Sequence, residues 1–300
     1  MNNYSIQLQK VEQLANAGKL SRLVHHPARY LYAMMLSKLL YPVTHKSVLK
    51  KAPLFFGGEM QVLLPAATDI YLAGGKTHNS EIRLARYMIN HLAPGNTFVD
   101  IGAHFGYFTL LAATLVGDTG SVYAIEPARE TFALLGENVA GKANVRIFHN
   151  AVSDKNEPVS FYEFPVLYSE YNTLAPDKFL KEGWAKKYNP QKTEVQAVTI
   201  DGFLQANNFT PAMIKIDVEG AEVQAVSGGK KTWAEKSPVL VMEFLDEGHD
   251  NTYTHAAAVM YGCGYKSYMI NDAGTLTETG DILAYMRGHG MTSENIVFKK

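Results

Sequence analysis

From Thr97 onward, short apolar runs alternate with longer stretches whose apolar positions recur every three or four residues. The short runs predict strands at 97–101, 121–125 (SVYAI), 144–149 (NVRIFH), 213–217 (MIKID), 238–244 (PVLVMEF), 265–270 and 295–298. The longer stretches predict helices at 106–116, 128–140, 219–227 and 252–262. Strands this continuously apolar, alternating with helices, predict an α/β fold, a doubly wound and mostly parallel sheet covered on both faces.

The chain before Thr97 follows a different pattern. Pro27 suits a first helical turn, and 28–41 (ARYLYAMMLSKLLY) reads as a helix stopped by Pro42. It is apolar on most sides, carries lysine at its rim and is too short to span a bilayer. It would lie on an anionic lipid surface, or pack on the body or on a second subunit, which makes a homodimer an expected state. Residues 53–75 predict short strands with a turn at Gly57-Gly58, and a helix follows from Asn79 to Leu92, capped by Asn79 or Ser80 and ended by Pro94-Gly95. Residues 1–55 thus read as a basic helical extension and 56–300 as the main domain, with a motif-bearing core at 97–270. One segment, 151–200, breaks the alternation. It predicts a hairpin-like pair around Asn156-Glu157-Pro158 and then a loop rich in Tyr168, Tyr171, Trp184 and Tyr188. A long segment of this kind in an α/β domain either walls a pocket or packs its aromatics on the sheet, and 151–192 is expected on the acceptor side.

Composition and charge narrow the class. The 300 residues are 47% hydrophobic and 19% charged, a globular balance. Cys263 is the only cysteine, which excludes a disulfide framework and a cysteine metal site. The opening MNNYSIQLQKVEQL lacks the apolar core of a signal peptide, and no window reaches the roughly 18 apolar residues of a spanning helix. The expectation is a cytoplasmic protein, peripheral at the inner membrane surface if the arm lies on lipid. Residues 1–58 hold eight basic side chains and one acid, a surplus of +7, which leaves −8 on the remainder of a chain whose net charge is −1. An acidic body disfavours a long phosphate track, so no nucleic-acid partner is expected.

The candidate chemistry starts at 98–109 (FVDIGAHFGYFT), a strand ending in Asp100 that runs through Gly102, Ala103, His104, Phe105 and Gly106 into a helix. A dinucleotide site wants G-x-G-x-x-G so that amides can approach a pyrophosphate, and His104 stands where the middle glycine would be. S-adenosylmethionine carries no phosphate. Its amino-acid tail can pass close to Gly102 and Gly106, with Asp100 holding the ammonium directly or through water. Glu126, in AIEP (124–127) with Pro127, ends the next strand and is placed for ribose hydroxyls. Asn150, Ala151 and Val152 end the one after, placed for the adenine edge. All of these lie at carboxyl ends of neighbouring strands, where open α/β sheets bind ligands.

These segments, together with HNAVSD, AVTIDGFL (197–204), MIKIDVEGAE (213–222) and VLVMEF (239–244), resemble the FkbM-type methyltransferases over roughly 97–270. The resemblance implies a class I, Rossmann-like fold with seven strands, the last antiparallel, and S-adenosylmethionine as cofactor. It also implies O-methylation of a hydroxyl on a natural product or glycan, so the partner is a small-molecule or glycan acceptor. Glu81 matches an acid seen upstream in such enzymes and would reach the methionine tail, or simply favour its helix N-terminus. His104 stands where many members have Asn. A hydroxyl acceptor calls for a base near the methyl group. Asp217, at the end of the fourth strand, is the first candidate, followed by Glu243 and His249, with Glu219 and Glu222 one helical turn on. Asp217, Glu243, Asp246 and His249 offer oxygen and nitrogen donors to a divalent ion, but their spacing matches no recognised ligand set, and no metal is expected. Two other readings compete. A nicotinamide-dependent oxidoreductase lacks its glycine fingerprint here, and a binding scaffold without transfer would differ by binding the cofactor without turnover.

Overall fold

Parallel strands that are apolar on both faces must be covered on both, and the alternation from Thr97 supplies the cover. The computed structural model describes residues 3–18, 24, 26–176, 188–246 and 252–300. Its strands in chain order are β1 (Val48–Pro53), β2 (Glu59–Leu64), β3 (Thr97–Ile101), β4 (Ser121–Ile125), β5 (Val145–Phe148), β6 (Ala151–Val152), β7 (Pro158–Glu163), β8 (Gln191–Val198), β9 (Met213–Ile216), β10 (Val239–Leu245), β11 (Lys266–Ile270), β12 (Leu276–Thr279) and β13 (Ser293–Lys299). Eight of them form the main sheet in the order β12-β11-β13-β10-β9-β3-β4-β5. The run from β10 to β5 is parallel, and β13 is antiparallel to both of its neighbours. All seven expected strands are present. The eighth, β12, escapes the sequence pattern because it pairs only with β11, and its sequence LTET has no buried residue.

Alternation along β3 divides the core. Phe98 packs with the helices Asn79–His91 and Tyr107–Val116 on one face, whereas Val99 and Ile101 pack with Ile200–Asn207 and Thr252–Gly262 on the other. The chain leaves β3 toward β4 and β5, then returns across the sheet to β9 and β10. The carboxyl ends of β3 and β9 therefore flank a topological switch point, where a crevice forms.

The N-terminal region holds the expected helices, packed on the body, and three details define it further. The helix Asn3–Asn16 inserts Leu8 and Val11 into the main core, and Glu12 pairs with Arg86 at 2.7 Å. The second helix does not stop at Pro42. It runs Pro27–Met35, widens into a π turn at Leu36–Leu40 and finishes with Tyr41–Thr44. Pro42 sits at the start of that last turn, where its missing N–H costs nothing. Finally, β1 lies inside residues 1–55 and pairs antiparallel with β2 across position 55. Within 53–75, the stretch after β2 forms the short helix Thr68–Ala73 in place of a further strand, ended by Gly74 at φ 73. Apolar runs this short fit either state.

The segment after β5 forms a second, three-stranded sheet in the order β6-β8-β7. The expected pair around Asn156 does not pair with itself; β6 and β7 both pair with β8. Trp184 lies outside the described residues. Among the described residues no helix is long and apolar enough to cross a membrane.

Because Leu8 has no solvent exposure, Leu8→Ala should lower the unfolding free energy by about 2–5 kcal/mol, read by urea denaturation. A change below about 0.5 kcal/mol would contradict the docking of the first helix.

Candidate active site

The carboxyl ends of β3, β4, β9 and β10 open onto a cavity of about 520 Å³, a volume usual for a small-molecule site. Its floor is the loop from Gly102 to Gly106. Gly102 has φ 78, and a Cβ there would lie 1.8 Å from the backbone oxygen of Asp217. The approach that demands glycine is thus to the end of β9, in addition to any ligand. Gly106 has φ 91, and a Cβ would meet the Leu135 side chain at 2.6 Å. His104 takes a left-handed φ of 50, a conformation that Asn and His tolerate better than most residues.

Four of the five loop amides are already committed. Gly102 and Ala103 donate to the Ile125 carbonyl, Gly106 to the Ala103 carbonyl, and His104 to Glu126. A pyrophosphate cradle needs free amides, so the loop is unsuited to a dinucleotide.

Glu126 stands at the end of β4. Its Oε1 accepts from the Ala128 amide at 3.0 Å and from Thr131 Oγ1 at 2.9 Å, and its Oε2 accepts from the His104 amide at 2.8 Å. A carboxylate has about four acceptor positions. Glu126 lines the cavity with acceptor capacity left on Oε2. Burial pushes its carboxyl up to about 7, against the pull of its hydrogen bonds.

Beneath the floor lies Lys215, in the middle of β9 and 3% exposed. Its Nζ is 3.1 Å from Asp217 Oδ2 and 3.7 Å from Asp100 Oδ1. Asp100 also accepts from Thr109 Oγ1 at 2.6 Å. Asp100 is therefore turned to Lys215 and Thr109 rather than into the cavity wall, whereas Lys215 and Asp217 line the cavity. The lysine escaped notice in the sequence, although a basic residue inside an apolar parallel strand signals a buried charge that needs partners.

Three carboxylates meet beside it. Asp217, Glu219 and Glu243 bring oxygens within 4.8 Å of one another. Burial works against ionising Asp217, but the adjacent Lys215 ammonium overrides it and holds the carboxyl below its ordinary value. Glu243 is held well above the usual carboxylate range, by burial first and then by the charge of Asp217. Asp217 thus stays ionised while Glu243 keeps the proton that the two share. Glu219 lies ahead of its expected helix, at φ 54, and its carbonyl accepts from Thr173 Oγ1. The helix begins only at Glu222, so the two acids do not share a face. Glu222 is buried, and its carboxylate accepts the amides of Val218 and Gly220. Of the four residues considered for a metal, Asp246 is taken by Arg287 at 2.7 and 2.8 Å, and His249 lies outside the described residues.

The opposite wall comes from the 3-10 helix Val166–Tyr171, part of the aromatic segment read as either a pocket wall or a cover on the sheet, although Ser169 and Glu170 within it were not singled out. Ser169 Oγ is 2.8 Å from His104 Nε2, and burial pushes that imidazole down to about 4, leaving it neutral. Lys76 bridges Glu81 and Glu170, each at 3.0 Å. Glu81 lines the cavity with its carboxyl pushed up to about 7 by burial. Ala103, Phe105, Pro127, Asn150, Ala151 and Val152 all line it as well, and the Asn150 amide donates to the Gln196 carbonyl.

The sequence matches the methyltransferase FkbM domain over residues 100–290. The chain belongs to that family. No curated protein sequence matches it. Among solved structures, it is similar to an FkbM methyltransferase from Methylobacillus flagellatus KT, at 12% identity and TM-score 0.43, over 78% of this chain and 53% of that one. It is also similar to a SAM-dependent O-methyltransferase from Thermotoga maritima, at 14% identity and TM-score 0.41, over 87% of this chain and 81% of that one. A third is an Aeropyrum pernix fibrillarin with natively bound S-adenosyl-L-methionine, at 10% identity and TM-score 0.40, over 73% and 74% of the two chains.

The cofactor of this FkbM methyltransferase is S-adenosylmethionine, and the residues present fit it. The floor offers no free amide cradle for phosphate, and Glu126 keeps acceptor capacity for hydroxyl donors. The Asp217 carboxylate stands at the adjoining strand end.

Folding favours protonated Glu126, so its contribution to stability is full below the ordinary carboxylate range and is lost as pH rises through about 7. Ribose hydroxyls donate to the ionised form, so affinity for S-adenosylhomocysteine should rise as pH increases through about 7. Glu126→Gln should flatten that profile and weaken binding about tenfold or more; an unchanged calorimetric profile would remove the assignment.

Proposed function

We propose that this chain methylates a hydroxyl group of a polyhydroxylated acceptor, a sugar or a related natural product, with Asp217 orienting the nucleophile. The observation that carries the reading is the Asp217 carboxylate in the cavity wall beside the glycine floor, 3.1 Å from the Lys215 ammonium, which favours its ionised form.

S-adenosylmethionine supplies a methyl group on a sulfonium, which leaves as a neutral thioether. With so good a leaving group, alignment of the acceptor matters more than early removal of its proton. Asp217 suits that task. Lys215 keeps it charged and weakly basic, so it accepts the hydroxyl hydrogen bond and points an oxygen lone pair along the line of attack. As the oxygen–carbon bond forms, the hydroxyl becomes acidic, and its proton passes to the ionised Asp217 carboxylate. Across the cavity His104 is neutral on Ser169, and Lys76 pairs with both Glu81 and Glu170.

A polyol acceptor is supported by the opposite wall. Glu170, Tyr171 and Asn172 line it, facing the cluster that holds Glu219, a mixture of polar and aromatic groups suited to a ring carrying several hydroxyls.

Asp217→Asn should lower turnover by about a hundredfold or more while leaving affinity for S-adenosylhomocysteine within about threefold. The assay measures S-adenosylhomocysteine released on incubation with a panel of mono- and oligosaccharides, with amines as controls. Methylation of amines but not hydroxyls, or full activity in the variant, would contradict the reading. Cofactor binding without turnover on any acceptor would favour a binding scaffold.

A further inference from the structure

The helix running from Pro27 to Thr44 buries one face and leaves another bare. Ala33, Leu36 and Tyr41 pack inward, while Leu31 is 60% exposed, Met35 41%, Leu39 66% and Val43 80%. These four side chains stand four residues apart. On a regular α-helix, positions four apart drift by about 40° at each step, which would wind the stripe around the helix. The π turn at Leu36–Leu40 holds more residues per turn, so the step across it turns back and keeps the four side chains in line.

Charge flanks the stripe on one sign only. Lys38 and Lys46, within and just past the helix, are exposed, and residues 13–58 contain neither Asp nor Glu. The helix is also joined to the cavity wall. Its end packs Tyr41 on His45 (6.0 Å between ring centres) and His45 on Tyr188 (5.4 Å), and Tyr188 packs on Tyr168 (5.1 Å), which neighbours Tyr171 (6.4 Å) in the wall.

We infer that this face docks the protein on an anionic lipid bilayer, with Leu31, Met35, Leu39 and Val43 entering the interface and the lysines resting on lipid phosphates. An exposed apolar stripe in a segment whose only charges are cations has the composition of an interfacial helix. A second copy of the chain fits less well. A two-fold contact would set this patch against itself, bringing its lysines together, and residues 13–58 supply no acid to pair them. The ring contacts then place the acceptor wall against an element seated on the membrane, which suits an acceptor carried on lipid. The docking itself does not depend on which acceptor is used.

The test is co-sedimentation of the full chain with vesicles of phosphatidylcholine alone and of phosphatidylcholine mixed with phosphatidylglycerol. Binding to the mixed vesicles only, weakening with salt, is expected. Lys38→Ala and Lys46→Ala should each weaken it about fivefold, and the combined variant Leu31→Ser, Met35→Ser, Leu39→Ser, Val43→Ser should abolish it with an unchanged melting temperature. If the combined variant fails to fold, Leu39→Glu alone gives the same readout. Absence of binding to mixed vesicles, or equal binding by the stripe variants, overturns the inference. A dimer in size-exclusion chromatography that dissolves in the stripe variants, without vesicle binding, assigns the face to a second copy instead.

Discussion

One buried ammonium governs the centre of this molecule. Lys215 sits in the middle of a strand that is otherwise apolar on both faces, and an unpaired charge there would cost several kcal/mol. Two carboxylates answer it, Asp100 from the end of β3 and Asp217 from just beyond β9. The pairing locks the two strand ends at the switch point of the sheet. They lie so close that only glycine fits at position 102. The glycine floor, the ionised Asp217 and the proton held on Glu243 all follow from that arrangement.

Around this centre the cavity is assembled from two sources. The parallel sheet supplies the cofactor side through the loop after β3 and Glu126 after β4. The smaller sheet supplies the opposite wall through the 3-10 helix Val166–Tyr171. Lys76 ties that wall to the main domain by bridging Glu170 and Glu81. A chain of aromatic rings then links the wall to the helix ending at Thr44. The lining is rich in carboxylates; Lys76 and Lys215 pair with some of them, and burial holds Glu81, Glu126 and Glu243 above the ordinary carboxylate range.

Much of this was legible in the sequence because it follows from strand-end chemistry. The seven principal strands, the glycine loop, Glu126 and Asp217 are local signals, each readable from a few consecutive residues. What was not legible depends on tertiary partners. The destination of Asp100 depends on a lysine more than a hundred residues later. Glu219 and Glu222 look like one helical turn, but Glu222 draws back to accept the amides of Val218 and Gly220, so the helix starts late. Glu170 and Ser169 sit in an irregular segment with no period to mark them. Strand β12 hides because an edge strand with polar side chains has no apolar run.

The most direct measurement is calorimetric titration of the purified chain with S-adenosylhomocysteine, with NADH as control. Micromolar binding of the first and none of the second is the predicted result. Binding of NADH, or no binding of S-adenosylhomocysteine, would contradict the assignment of the floor and of Glu126, and with it the methyl-transfer chemistry placed at Asp217.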